Sequence, residues 1–219
     1  APHAVEAMLF GASGLLDLYR HDDYTLDPRR EFEHLAAKYG IEPMDASAWE
    51  MGNIRPANHP VLRLAQAAQF FTQDEFVMAR TMACRTEGDI RTLFCIEASP
   101  YWRTHHVPGA ASDESPKRLG AFKAHIIGIN LVAVLQFAYG SSTGDERLRD
   151  SALSLLERLP AEDNRFMRAW QQTGVPIRNA FESQALLQLA TEYCAAKRCA
   201  ECPVGRRILR TCDSEKQAD

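Results

Sequence analysis

The chain is 219 residues long, 46% hydrophobic and 25% charged, with a net charge of −4 at pH 7. That length buries a core without metal or disulfide staples, and the composition excludes a collagenous, low-complexity or disordered chain. The slight acidic excess also excludes a global attraction to phosphate backbones or anionic lipid, so any nucleic-acid contact has to come from a local patch.

The chain begins Ala1-Pro2-His3 without an initiator methionine, which predicts a fragment or a processed product. Val5, Met8, Leu9, Ala12, Leu15, Leu16 and Tyr19 then recur at three- and four-residue steps. They predict one continuous helix in which Gly11 and Gly14 permit close packing. Asp27-Pro28 reads as an N-cap followed by a first-turn proline, and Gly40 as a stop, giving a second helix over 28–39. Residues 43–60 are rich in turn formers, and Pro60 opens a helix reaching about Phe71. Helical segments follow at 74–83 and 87–97, the second capped by Thr86, and the irregular stretch 99–116 is too long to be a mere connection.

Ala121 to Tyr139 is the most apolar stretch. Lys123, His125, Asn130 and Gln136 interrupt it, which predicts a buried helix rather than a membrane span. Beyond the turn at 139–144, Leu148, Ala152, Leu155 and Leu159 mark an amphipathic helix, followed by helices from Asn164 to Gln172 and from Asn179 to about Lys197. Period-two strand patterning is absent. The fold class is therefore read as all-α: a single compact domain of about nine helices over 1–193, a cysteine-rich knuckle over 194–212 and a polar tail over 213–219.

Four of the six cysteines crowd the C-terminal end as Cys194-x4-Cys199-x2-Cys202-x9-Cys212. Two thiolates separated by two residues reach one tetrahedral ion, so Cys199 and Cys202 read as half a metal knuckle, Cys194 as a third ligand, and Cys212, His105 or His106 as the fourth. Gly205 is expected at positive φ, turning backbone N–H groups toward the sulfurs. Lys197, Arg198, Arg206, Arg207 and Arg210 surround this end against a lone Glu201 and would lower the thiol pKa values. Structural zinc is the expected cofactor. The spacing also opens the plant-type ferredoxin pattern without its distant cysteine, leaving an iron–sulfur cluster as the alternative. Cys84 and Cys95, in helix-like segments between apolar neighbours where buried thiols are common, together with the metal-like spacing point to a reducing, cytoplasmic compartment.

Two further groups carry chemistry. Arg55-Pro56-x-Asn58-x-Pro60-x-x-Arg63-x-x-Gln66 places two guanidinium groups and an amide at a helix N-terminus, as an anion would require; the same arginines could equally cap carbonyls of neighbouring helices. Tyr101-Trp102-Arg103-Thr104-His105-His106 joins aromatics, a cation and two imidazoles, either as a ligand site or as a loop pinned in the core by Trp102. On an extended strand the two adjacent imidazoles would point to opposite sides. No phosphate loop, His-Glu-x-x-His or nucleophile elbow is present, and Glu162-Asp163-Asn164 reads as a helix start.

The ordered runs Glu6-Ala7-Met8-Leu9-Phe10-Gly11, Pro43-Met44, Arg55-Pro56-x-Asn58-x-Pro60-x-x-Arg63, Tyr101-Trp102-x-Thr104-His105, Ala161-Glu162-Asp163-Asn164 and Ser183-Gln184-Ala185-Leu186 through Tyr193-Cys194, Cys199 and Cys202 resemble the bacterial family known as domain of unknown function 2851. The resemblance implies that this is the C-terminal half of a longer natural protein. The missing half would carry an acidic strand-like motif similar to restriction-type nuclease cores. It also implies His105, rather than Cys212, as the fourth metal ligand, since Cys212, His106 and His59 lie outside the family pattern. The expected function is a bacterial helical binding or scaffold module with a zinc site, partnered by its own N-terminal half and by nucleic acid but not by a membrane, with Arg206 and Arg207 among its phosphate contacts. The alternatives are an enzyme acting on an anionic substrate through His105 with Arg55 or Arg63, which requires those groups to converge, and a structural dimerisation domain.

Overall fold

The sequence folds, in a computed structural model, into elements described over residues 2–19, 22–52, 54–73 and 76–208. Cys212 and the polar tail 213–219 lie outside them. Ten α-helices and one small hairpin are formed among the described residues, so the all-α expectation holds. The chain divides into two compact units, residues 1–84 with 88–127 and residues 128–219 with 85–87.

In the first unit, α1 (Pro2–Ala12) ends sooner than its apolar stripe predicts. Gly14 adopts φ +70°, and a 3-10 turn, Leu15–Leu18, continues the buried surface. A Cβ on Gly14 would lie 2.2 Å from the Met44 carbonyl oxygen, and one on Gly11 would lie 1.9 Å from the Phe32 ring, so both glycines exist for close approach. Helix α2 (Asp23–Tyr39) starts five residues before the expected site. Asp22 is its N-cap and forms a capping box with Thr25 that closes two backbone donors at once, while Pro28 falls inside the helix and Gly40 ends it at φ +64°.

Pro60 opens α3 (Pro60–Thr72) as expected, preceded by a 3-10 turn at Pro56–Asn58. The short helices α4 (Val77–Ala83) and α5 (Glu87–Phe94) follow. The segment read as irregular holds a 3-10 turn, Pro100–Thr104, and a hairpin of β1 (His105–Val107) and β2 (Ala110–Ala111). Strands of three and two residues are too short to show period-two patterning, and Gly109 at φ +68° makes the reversal. The pairs are His105 with Ala111 and Val107 with Ala110, so His106 is the extra residue of a β-bulge. The core joins Phe10, Leu15, Leu16, Val61, Leu62, Ala65, Ala98 and Trp102.

The helical run continues as α6 (Ala121–Ile127), a π-helical segment Gly128–Ala133, and α7 (Val134–Thr143). It is long and apolar enough, by length and composition alone, to cross a membrane. Only 39% of its most apolar window is buried, and Phe122, Leu131, Val134, Phe137 and Tyr139 are exposed; the fully buried helix expected from composition is thus corrected to a partly exposed one.

In the second unit, α7 packs on α8 (Glu146–Arg158), and α10 (Ala180–Gln188) packs on α8 and on α9 (Arg165–Gln172). Ile129, Val132, Leu155, Leu159 and Met167 supply the buried side chains. Asn164 and Asn179 cap α9 and α10. Glu162, just before that first cap, receives Gln184 at 2.5 Å and Asn130 at 3.3 Å, so its carboxylate ties helices together.

After a π-helical segment, Leu189–Cys194, the chain leaves the helix at Lys197, which has φ +54°. The N–H of Arg198 bonds the Tyr193 carbonyl and that of Lys197 bonds the Cys194 carbonyl, the paired bonds of a Schellman motif with lysine where glycine is usual. Relief of that left-handed strain makes Lys197→Gly a stabilising change of about 1 kcal/mol. A thermal melt should then rise by about 2–4 °C; an unchanged or lower midpoint would refute the strain.

Candidate functional site

The loop before α6 is anchored by Trp102, 1% exposed, whose ring stacks on Phe10 at 5.5 Å. Its indole Nε1–H donates to Glu6 Oε1 at 3.0 Å, and the Tyr24 hydroxyl donates to the same oxygen at 2.5 Å. Glu6 is only 3% exposed, so these donors replace the water that the carboxylate loses. Burial, and then the neighbouring Glu6 charge, push the Tyr24 hydroxyl pKa upward.

Tyr101 stacks on Tyr24 at 3.8 Å and 3° on one side and on His105 at 4.1 Å and 6° on the other. Its hydroxyl donates to Asp22 Oδ2 at 2.5 Å and accepts the Gly109 N–H at 3.1 Å. Burial opposes ionisation of Asp22, but hydrogen bonds from Tyr101 and Thr25 outweigh it and hold the carboxyl below the usual range. His105 Nδ1 lies 3.0 Å from the Tyr101 carbonyl oxygen. A carbonyl only accepts, so Nδ1 carries a proton.

A second group forms at the start of α3. His59 Nδ1 accepts the Val61 N–H at 3.4 Å, which makes this imidazole neutral with its proton on Nε2, 3.2 Å from the Tyr19 hydroxyl. One turn on, the two terminal nitrogens of Arg63 donate to Gln66 Oε1 and Asn58 Oδ1, both at 2.7 Å. Gln66 in turn donates to the Lys117 carbonyl at 3.1 Å. Lys117 is 5% exposed, and its Nζ donates to Ser115 Oγ at 2.5 Å and to the Arg103 carbonyl at 3.3 Å.

Every partner of Arg63 and Lys117 named here is neutral. Among the described residues neither forms an ion pair, and the Glu97 carboxylate on the same loop is taken by Arg103 at 2.8 Å and Arg118 at 3.7 Å. His106 Nδ1 is buried with no hydrogen-bond partner among the described residues. Burial and then Lys117 hold the His106 pKa below the usual histidine range; burial and then His106 do the same to His59. His106 is thus tied to Lys117 and His59 to His106, and Arg63 is joined to them through Gln66, which reaches the Lys117 carbonyl. Burying a cation without a counter-charge is costly, and an anion placed among them offsets that cost. Donors remain for it, since Lys117 has used two of three N–H groups and Arg63 two of five.

The cysteine end has a different character. Cys194 ends the π-helical segment, Cys199 lies in the following turn, and Cys202 immediately precedes the helical residues 203–208 that Pro203 opens. Cys194 and Cys199 are exposed, Cys202 is buried, and none of the three forms a disulfide. Among the described residues no three His, Cys, Asp or Glu side chains are gathered as a metal ion requires. Cys194, Cys199 and Cys202, in the second unit, form no such group, and His105 belongs to the first unit. Gly205 is not at positive φ; it is glycine because a Cβ would lie 2.2 Å from the Cys199 carbonyl oxygen, a correction to the expected knuckle turn. Arg206 and Arg207 are exposed on the 203–208 turn, and Arg198 pairs with Glu201.

The family model described as "Protein of unknown function (DUF2851)" matches residues 1–165. The chain belongs to that family. No curated protein and no solved structure matches it. The DUF2851 match spans Glu6, the aromatic stack, His59, Arg63, His106 and Lys117, and it ends before α10 and before Cys194, Cys199 and Cys202, which therefore lie outside the matched part.

In this DUF2851 protein, Asn58, Arg63 and Gln66 come together as their spacing suggests, while Arg55 stays exposed at the entry to the 3-10 turn. Trp102 pins the loop. His105 joins the tyrosine stack, and the imidazoles electrostatically tied to the basic cluster are His59 and His106. Lys117, Glu6, Tyr24 and Asp22 were not singled out by sequence reasoning. Asp22 and Thr25 carried a readable capping-box signal; a buried lysine in a loop has none.

Proposed function

We propose that the chain is a helical binding module whose first unit takes an oxyanion of the phosphate or sulfate type where the hairpin meets the start of α3. The observation that supports it is Lys117, almost wholly buried with only neutral hydrogen-bond partners, beside an equally unpaired Arg63. The N-terminus of α3 adds its dipole to the same place.

Isothermal titration with sulfate tests the reading. Wild-type protein should bind, and Arg63→Gln and Lys117→Met should each weaken binding by about tenfold or more, as expected for a charged hydrogen bond. Because Lys117→Met also removes a loop staple, its melt is recorded alongside, and Arg63→Gln carries the decision if that variant does not fold. Exposed Arg206→Gln and Arg207→Gln should leave sulfate binding unchanged. Binding that ignores Arg63→Gln, or that disappears with the Arg206 and Arg207 changes, would overturn the proposal.

A further inference from the structure

The three rings Tyr24, Tyr101 and His105 form a column whose spacings, 3.8 and 4.1 Å, and near-zero interplanar angles are those of stacked nucleobases. The column is fastened along its length. Tyr24 is tied to Glu6 and lies 3.1 Å from Ser99 Oγ, Tyr101 is held by Asp22 and Gly109, and His105 is fixed through Nδ1. Such a stack is preorganised and loses little entropy when a further ring is added. Among the described residues no other ring stacks on His105, which ends the column half-exposed.

The next residue in the chain, His106, belongs to the basic cluster, and the β-bulge at this point removes the strict alternation that would send neighbouring side chains to opposite faces. A stacking face and a phosphate-compatible cluster therefore start one residue apart.

We infer that the ligand is a nucleotide unit, its base extending the column on His105 and its phosphate received by Lys117, Arg63 and His106. This rests on the anion reading and adds the base to it. A free mononucleotide and single-stranded nucleic acid present the same unit.

The test compares adenosine 5′-monophosphate, ribose 5-phosphate and a short single-stranded oligonucleotide at fixed salt. Wild-type protein should bind adenosine monophosphate on the order of tenfold more tightly than ribose 5-phosphate, the increment of one base on an aromatic platform. The His105 ring protons should move upfield on NMR only when the base is present. His105→Ala should abolish the preference while leaving ribose 5-phosphate affinity intact. Equal affinity for the two phosphates would overturn the nucleotide inference and leave the anion site standing; failure of both to bind would overturn the anion site itself. An oligonucleotide that binds more tightly than the monophosphate supports a nucleic-acid strand as the source, and equal affinity supports a free nucleotide.

Discussion

Gly14→Ala should destabilise the first unit by about 3 kcal/mol, from a left-handed residue that a side chain resists by about 1–2 kcal/mol and a clash of similar size. The clash is with backbone. The new Cβ would stand 2.2 Å from the Met44 carbonyl oxygen, which is itself fixed because the Met44 N–H bonds the Ala12 carbonyl at 2.8 Å. Gly40→Ala is the internal control: φ is +64° there, and nothing lies within 4 Å of the added atom, so only the conformational cost of about 1–2 kcal/mol applies. Urea unfolding followed by fluorescence reads the first unit through Trp49 and Trp102, whose surroundings include the same core. The Trp49 indole also donates to the Ser13 carbonyl at 2.9 Å, beside the substitution. If the two variants lose the same stability, the close approach of α1 to the 44–46 backbone is wrong.

The same glycine shows how far the sequence could be read. Its apolar neighbours keep helical spacing across positions 5–19, yet of that stripe only Leu15 and Leu16 are buried, alongside Ala7 and Phe10 outside it, and the periodicity was blind to the break, because a 3-10 turn after a left-handed residue lets the buried surface continue. Pro28 misled in another way: proline at a first helical turn is the common arrangement, yet the reciprocal bonds of Asp22 and Thr25 nucleate α2 earlier and carry Pro28 inside. Where a cap stood alone, as at Pro60, Asn164 and Asn179, the boundary was legible within a residue or two. For the site, local spacing found Asn58, Arg63 and Gln66 because all three lie within two helical turns. Lys117 lies 51 residues from Gln66, and nothing short-range announces that contact. For the cysteines spacing alone carries no geometry: thiols two residues apart can share an ion only if the backbone curls around it, and here Pro203 restarts a helix directly after Cys202, with no group of three ligands among the described residues.

Sulfate should bind more tightly as the pH falls from 8 toward 5, by up to about tenfold per pH unit for each proton that binding takes up. His59 faces Tyr19 and His106; His106 faces Lys117; Arg63 stands one turn beyond His59. In the ligand-free protein, burial and then Lys117 hold His106 below the ordinary value near 6.5, and burial and then His106 do the same to His59, whereas the unfolded chain protonates both normally. The unfolded state therefore binds more protons, and the contribution of these two residues to stability, fully present above pH 6.5, is lost as the pH falls toward the depressed folded values. A bound dianion reverses the local field and makes protonation favourable. Since sulfate does not itself titrate over this range, any pH dependence belongs to the protein. His106→Gln should remove about one proton's worth of the slope while keeping measurable binding, because Lys117 and Arg63 supply charge at every pH. A wild-type affinity that stays flat from pH 8 to 5, or a slope untouched by both His59→Gln and His106→Gln, would detach the imidazoles from the anion and leave Lys117 and Arg63 as its charged partners.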